Sequence, residues 1–197
     1  MVYAPQNPLI VQSDRSLLLE VDNSLYTSAR DELARFAELE KSPEHIHTYR
    51  ITPLSLWNAA SAGLTAEDAM ASLQRYSKFE LPNNVLTDIK DYISRFGRIK
   101  LVKSPSGDLL LTCEDPMLMA EVARNKRIQP HVLSQPNRNT LQIDPRTRGH
   151  IKQALVIFGY PAEDLAGYTE GDPLYIELRE QTMHDAPFGL RTYQSDA

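Results

Sequence analysis

Short apolar runs and one longer apolar stripe alternate in the first fifty residues of the chain. The apolar runs at residues 9–11 and 17–21 flank a polar turn, which predicts a β-hairpin. Apolar residues at near-helical spacing predict a helix over residues 25–39, and a run rich in β-forming residues predicts a strand over residues 45–51. The chain therefore begins with strands and a helix in mixed order.

Three amphipathic helices and a second hairpin are predicted next. The helices cover residues 53–62, 65–77 and 83–96, with capping threonines or a proline at their starts and glycines after the first and third. The hairpin strands cover residues 98–103 and 109–114 and flank a tip that contains proline and glycine. A strand, three short helices and a hairpin, in this order, are typical of a winged helix, in which the hairpin is the wing.

This order of elements predicts an α+β fold: a winged-helix-like domain with an N-terminal hairpin, followed by a small α/β domain. The first domain would cover residues 1–128, with its winged-helix-like core at about residues 45–114. A further helix begins at Asp115-Pro116 and runs to about Asn125. Prolines and asparagines between residues 130 and 139 then indicate a boundary or linker.

The small α/β domain would cover residues 139–186. Its pattern predicts a strand at residues 140–143, a helix from Asp144-Pro145 to about Phe158, and a half-buried strand at residues 174–178. Near the end of the sequence, Arg191 and Gln194 lie three positions apart on the first turn of another predicted helix. The tail therefore looks like a cut into a larger protein.

The charge balance narrows the possible functions. The chain has a formal net charge of −5, whereas proteins that hold nucleic acid by neutralising phosphates are usually basic. Only residues 98–138 are net basic, with seven Lys/Arg and four Asp/Glu. The single cysteine, Cys113, rules out an internal disulfide framework and indicates a reducing compartment, and no apolar run approaches the roughly 18 residues of a membrane span. We expect a cytoplasmic protein that contacts no membrane.

Sites for catalysis, metal binding or nucleotide binding are not predicted within these 197 residues. The sequence has no glycine-rich loop followed by Lys and Ser/Thr, the loop that cradles nucleotide phosphates. His45 and His47 lie on one face of a predicted strand, but no third ligand is near in sequence, so ordinary histidines are the favoured interpretation over a metal site. Cys113 is best explained as a small buried residue. The adjacent carboxylates Glu163 and Asp164 form no catalytic motif by spacing alone and are predicted to lie in a solvated loop. We expect no enzyme activity and no cofactor in this stretch.

The first candidate binding surface is the predicted wing together with the helix after it. If the hairpin forms, Arg98 and Lys100 share one strand face, opposite Ile99 and Leu101. A basic wing can lie along a DNA backbone without reading its sequence, although a merely solvated face is the alternative. The cations of this surface are Arg98, Lys100, Lys103, Arg124, Lys126, Arg127 and Arg138, and all of them except Arg138 are predicted DNA contacts.

The second candidate is the start of the helix in the small α/β domain, with the cations Arg146, Arg148 and Lys152 and with His150 beside them. Cations at a helix N-terminus oppose the helix dipole, whereas free backbone N–H groups together with two arginines would suit a phosphate. The competing interpretation is that these cations pair with nearby carboxylates such as Asp144, and it is favoured over the phosphate site.

Several stretches resemble the N-terminal region of bacterial XPB-type DNA repair helicases, which belong to superfamily 2. The most specific are TYRITPLSLWNAA at residues 48–60 and DPRTRGHIKQAL at residues 144–155. Residues 8–21 and 34–43 add to the likeness, and residues 190–194 resemble the entry into the first motor domain. Thr192 departs from the family, in which a proline is usual at this position.

The resemblance implies an accessory, non-catalytic region of an ATP-dependent 3′-to-5′ DNA helicase, which engages DNA weakly and without sequence preference for its motor. Residues 187–197 would be the truncated start of that motor, with Arg191 and Gln194 against the adenine. ATP and Mg²⁺ are expected only for the full-length protein. A protein-docking module for the motor or for a partner nuclease is the alternative, and a free-standing winged-helix regulator is a third hypothesis.

Overall fold

A computed structural model of the chain describes residues 3–167 and 181–191. The chain divides into two units, Met1–Gly167 and Tyr168–Ala197. In the second unit, the described residues 181–191 form a turn closed by an antiparallel bridge between Gln181 and Pro187. All the helices and strands given below belong to the first unit, which holds two sheets and two hydrophobic cores.

The first core lies between an antiparallel four-stranded sheet of order β1-β2-β4-β3 and four helices. The strands are β1 (Leu9–Val11), β2 (Ser16–Glu20), β3 (Glu38–Lys41) and β4 (Ile46–Arg50). The helices are α1 (Tyr26–Leu33), α2 (Pro53–Ser61), α3 (Ala66–Tyr76) and α4 (Asn83–Arg95). The alternation of side chains along β2 determines which of them enter this core, since Leu17 and Leu19 are fully buried and Leu18 faces outward.

Capping residues fix where α2 and α3 begin. The Thr65 Oγ1 accepts a hydrogen bond from the Asp68 backbone N–H at 3.1 Å, and the Asp68 carboxylate accepts one from the Thr65 N–H at 3.1 Å. This reciprocal capping box confirms the predicted start of α3. A second box joins Thr52 and Ser55 at the start of α2, with Pro53 in the first helical position.

The second core lies against a five-stranded sheet of order β7-β8-β6-β5-β9. Its strands are β5 (Ile99–Lys103), β6 (Leu109–Cys113), β7 (Val132–Asn137), β8 (Thr140–Ile143) and β9 (Ala162–Asp164), and its helices are α5 (Pro116–Arg124) and α6 (Arg148–Phe158). All strand pairs are antiparallel except β5–β9, which is parallel. Ile99, Leu111 and Leu141 are buried in this core, as the period-two patterns predict.

Three edge strands differ from the predictions. The helix predicted over residues 25–39 ends at Leu33, and β3 occupies part of its range because Glu38 and Leu39 pair with β4. The predicted linker contains β7, in which Pro136 is tolerated because an edge strand needs fewer backbone donors. Strand β9 forms at residues predicted to be a solvated loop.

The predicted α+β class is confirmed, but the winged-helix arrangement is not. Both strands of the hairpin have a second neighbour, since β6 pairs with β8 and β5 pairs with β9, so the hairpin forms the centre of a sheet rather than a projecting wing. This sheet also contains strands from both sides of the predicted boundary between residues 128 and 139. That the two sides fold as independent domains stays a prediction. The predicted strand at residues 174–178 lies outside the described residues.

Within residues 3–167 and 181–191, no helix has the length and apolar character that crossing a bilayer requires.

Candidate nucleic-acid interface

The nine cations predicted to contact DNA all lie on the elements that surround the second core, and four of them form ion pairs with carboxylates. Arg98 pairs with Asp115, Arg146 pairs with Asp144, and both Arg148 and Lys152 pair with Asp164, with N–O distances of 3.1, 2.9, 2.6 and 2.9 Å. These pairs neutralise charge that the sequence alone counted as available to a phosphate.

The other five predicted cations take part in no ion pair within the described ranges. Lys103, at the end of β5, is exposed, and so are the three cations at the end of α5 and in the turn after it; Lys100 is half-buried on β5. The five are Lys100, Lys103, Arg124, Lys126 and Arg127. No carboxylate of the described residues forms an ion pair with them, and they are called the solvent-facing cations below.

An open groove of about 970 Å³ runs across one end of the second sheet. Lys100, Thr112 and Thr140 contribute its floor, and the Asn139 amide donates hydrogen bonds to the carbonyls of Cys113 and Glu114 at 2.7 and 2.9 Å. The charged residues that line it are Arg98, Lys100, Glu114, Asp115 and Glu163. Three carboxylates against two cations make the groove itself a poor anion site.

Of the two cations predicted to share one face of the strand, Arg98 and Lys100, only Lys100 lies on it. Strand β5 begins at Ile99, and its buried residues Ile99 and Leu101 alternate with Lys100, as predicted. Arg98 precedes the strand, bonds to Asp115 and lies over the ring of Tyr160, with its Cζ 5.6 Å from the ring centroid. Arg98 is therefore committed to contacts within the protein, whereas Lys100 faces the groove.

Arg146 forms a fork on Asp144 rather than an open phosphate site. Its Nε and Nη2 donate to the two carboxylate oxygens at 3.1 and 2.9 Å, and its backbone N–H donates to the same carboxylate at 3.0 Å. These hydrogen bonds hold the pKa of Asp144 below its ordinary value. The pairing of this cation with Asp144, the favoured alternative of the sequence analysis, is what the structure shows.

The carboxylate of Asp164, on β9, accepts hydrogen bonds from two of the predicted cations. Arg148 donates to both of its oxygens at 3.1 and 2.6 Å, and Lys152 donates to one at 2.9 Å. Burial raises the pKa of Asp164, but the hydrogen bonds from the two cations outweigh burial and lower it. The prediction that Glu163 and Asp164 belong to a solvated loop is wrong. No local spacing signals the contact, because it joins residues 16 positions apart through the pairing of β9.

The histidines of the predicted strand have separate polar partners. His45 Nδ1 lies 3.0 Å from the Asp22 carboxylate, and His47 Nδ1 lies 2.9 Å from the Tyr26 hydroxyl. The described part of the chain contains no group of three or more His, Cys, Asp or Glu placed to hold a metal ion. Cys113 is buried in β6, and burial raises the pKa of its thiol, as expected for a packing residue.

The predicted adenine contacts lie mostly beyond what the structure describes. Arg191 is exposed at the end of the described residues, and Gln194 lies outside them. A nucleotide-binding role for this pair stays a prediction.

Residues 9–136 match the family model described as the helicase conserved C-terminal domain. The chain is 48% identical over 187 residues to the DNA 3′-5′ helicase XPB of Mycobacterium tuberculosis, a match that covers 95% of this chain and 33% of the relative. The chain belongs to the XPB family of DNA helicases. The XPB helicase of Kineococcus radiotolerans is 43% identical over 190 residues, which are 96% of this chain and 33% of that relative.

A third relative that carries the XPB name is less similar. The XPB subunit of the general transcription and DNA repair factor IIH of Enterocytozoon bieneusi is 31% identical over 162 residues, 82% of this chain and 26% of that protein. The chain spans about a third of the length of the bacterial relatives it matches. The family description names a C-terminal domain, whereas the resemblance of residues 190–194 to the entry into the motor predicts a position before the motor. The position of the chain relative to the motor therefore stays a prediction.

Proposed function

We propose that this chain is a non-catalytic accessory region of an ATP-dependent 3′-5′ DNA helicase and that it engages DNA for the motor during repair. The names of its relatives support the helicase and the repair context. The observation that carries DNA engagement is the set of five solvent-facing cations in the second core, which stand out in a chain of net charge −5. Their positive charge can neutralise backbone phosphates without reading bases.

This proposal assigns ATP, Mg²⁺ and hydrolysis to parts of the helicase outside the chain. It keeps the chain on the N-terminal side of the motor, with Arg191 and Gln194 at the entry to the nucleotide site. Because an acidic protein repels a polyanion, we expect weak, salt-sensitive and sequence-independent binding by the chain alone.

Glutamine replacement of the five solvent-facing cations is expected to weaken DNA binding at least about tenfold at low salt. The affinity for several unrelated duplexes should be measured by fluorescence anisotropy between low and moderate salt. Each lost phosphate contact should reduce the slope of log affinity against log salt by about 0.9. All duplexes should be affected about equally, because phosphate contacts carry no sequence information.

A matched pair of triple variants removes the effect of net charge. Arg124, Lys126 and Arg127 are exposed cations of the second core, and Lys41, Arg75 and Lys90 are exposed cations of the first core that also take part in no ion pair within the described residues. Both triple replacements by glutamine remove three positive charges. Equal losses of affinity in the two variants, or a strong preference for one DNA sequence, would contradict an interface on the second core.

A protein-docking role is the second candidate function, and a cleft with exposed apolar side chains favours it. The cleft, about 670 Å³ in volume, lies between α2 on one side and α6 and β9 on the other. Leu54 and Leu165 line it although they are 48% and 56% exposed, and Val156 contributes from α6. Exposed apolar side chains that converge on one cleft are typical of protein contacts.

Aspartate substitution of Leu54 and Val156 is expected to abolish co-purification of this chain with the motor portion of the complete helicase, because a buried unpaired carboxylate is costly. Met117 and Leu133, which are 77% and 60% exposed and do not line the cleft, supply matched control substitutions. Loss of binding in the control as well, or in neither variant, would argue against the cleft as a docking site.

A further inference from the structure

The two cores are joined by very little chain and share no buried side chain among the described residues. Only residues 96–98 connect the last helix of the first core, α4, to the first strand of the second core, β5. Gly97 has a φ of +78°, and a Cβ at this position would lie 3.4 Å from the Glu163 carboxylate. The positive φ therefore favours a glycine at the turn between the cores.

Arg95, the last residue of α4, fills the space between an aromatic ring from each core. Its Cζ lies 5.4 Å from the ring centroid of Tyr92, which packs against the first core, and 5.3 Å from that of Tyr160, which packs against the second. A planar guanidinium can stack on two rings at once, which the compact ammonium of a lysine does much less well.

Additional contacts hold Arg95 in this position. Asp91, one turn earlier on α4, accepts a hydrogen bond from its Nη2 at 2.6 Å. Gly159 has a φ of +92°, and a Cβ there would lie only 3.3 Å from Arg95 Nη1. The Arg95 Nε is buried with no hydrogen-bond partner among the described residues, a cost that a freely solvated arginine would not carry. These contacts therefore keep the Arg95 side chain packed between the two rings instead of extended into solvent.

The stack continues beyond the two tyrosines. Arg15 of the first core lies 5.9 Å from the Tyr92 centroid, and Arg98 lies 5.6 Å from the Tyr160 centroid. Arginine and tyrosine side chains thus alternate from the β1–β2 turn to the start of β5.

We propose that the Arg95 stack between Tyr92 and Tyr160 is the joint that holds the two cores in one fixed orientation. Without it, the cores keep their own hydrophobic interiors but change their orientation and lose their mutual stabilisation.

Trp57 is a built-in reporter of the joint, because it is the only tryptophan in the chain. Its Nε1 donates a hydrogen bond to the Tyr92 carbonyl at 2.9 Å, and the two rings meet edge to face with centroids 6.3 Å apart. A change in the seating of Tyr92 should therefore shift Trp57 emission while the first core stays folded.

Arg95→Lys and Tyr160→Leu remove the double stack but keep, respectively, the charge and the apolar bulk. Tyr160→Phe keeps the aromatic face and should behave like the wild type. Arg75→Lys is the matched control, since Arg75 occupies the corresponding last turn of α3 and is exposed. The orientation of the cores can be measured by electron–electron double resonance between spin labels at Gln74→Cys and Gln153→Cys, both exposed positions, in a Cys113→Ala background.

In the two disrupting variants, we expect a broader distance distribution, a shift of Trp57 emission, and separate urea transitions for the two cores as followed by amide exchange. The wild type, Tyr160→Phe and Arg75→Lys should show a narrow distribution and one coincident transition. Narrow distances and a single transition in both Arg95→Lys and Tyr160→Leu would overturn the proposal. If Tyr160→Leu fails to fold, Arg95→Lys decides between these outcomes, because it leaves both cores intact.

Discussion

Replacing Leu141 by alanine is expected to destabilise the whole second core by about 3 kcal/mol. Leu141 on β8 is 1% exposed and pairs with Leu111 on β6, which in turn pairs with Leu101 on β5. Truncation leaves a cavity that rigid neighbouring strands cannot fill. The free energy of unfolding should be measured by urea titration, and amide exchange should show which strands lose protection.

Leu133→Ala on the neighbouring edge strand β7 is the control for this change. Leu133 is 60% exposed, so its truncation should alter the unfolding free energy by no more than about 0.5 kcal/mol. The exchange pattern also tests the predicted domain boundary. If Leu141→Ala exposed only residues after 139 and left β5 and β6 protected, the small α/β domain would be an independent folding unit after all.

Replacing Asp164 by asparagine is expected to cost about 2 kcal/mol of stability at neutral pH, because Arg148 and Lys152 lose the carboxylate they share. The Asp164 side chain is 14% exposed, so water replaces the lost partner poorly. Asp31→Asn is a suitable control. Asp31 also pairs with an arginine, Arg30, but is 63% exposed, and its replacement should leave the unfolding free energy nearly unchanged.

The same carboxylate predicts an acid-sensitive component of stability. The pKa of Asp164 in the folded protein lies below its ordinary value of 3.8, which approximates the unfolded chain. Its stabilisation is therefore fully present above that ordinary value and is lost as the pH falls through the folded-state pKa. Urea titrations of the wild type and Asp164→Asn should give unfolding free energies whose difference shrinks as the pH falls through the folded-state pKa of Asp164. A difference that stayed constant throughout acidification would show that the charge of Asp164 is not what stabilises the fold.

Local sequence signals predicted most of the regular elements. The alternation of Ile99 and Leu101 with Lys100 placed β5 correctly, and the Thr65–Asp68 capping box placed the start of α3. Both signals are strong because they depend on residues within one element, whose burial or backbone hydrogen bonds they satisfy directly. The α+β class followed from the order of these elements, without knowledge of how they pack.

The elements that the sequence predictions missed are mainly short edge strands. Strand β3 is exposed along its whole length and begins within the predicted helix, while β7 contains a proline and β9 has three residues. An exposed edge strand buries too little for a period-two pattern to develop, and its conformation depends on the strand it pairs with. The arrangement of the hairpin was unpredictable for the same reason, since β8 and β9 come from residues 27 or more positions after β6.

The sequence by itself determined which residues carry charge in the candidate interface and that they concentrate after residue 98. Tertiary structure decided which of those charges remain available, because Asp115, Asp144 and Asp164 neutralise four of the nine cations. It also brought Tyr160 to Arg95 across 65 positions of sequence. Capping and hydrophobic alternation act over a few residues and can be seen in the chain itself, whereas an ion pair or a stacked joint exists only once distant strands have met.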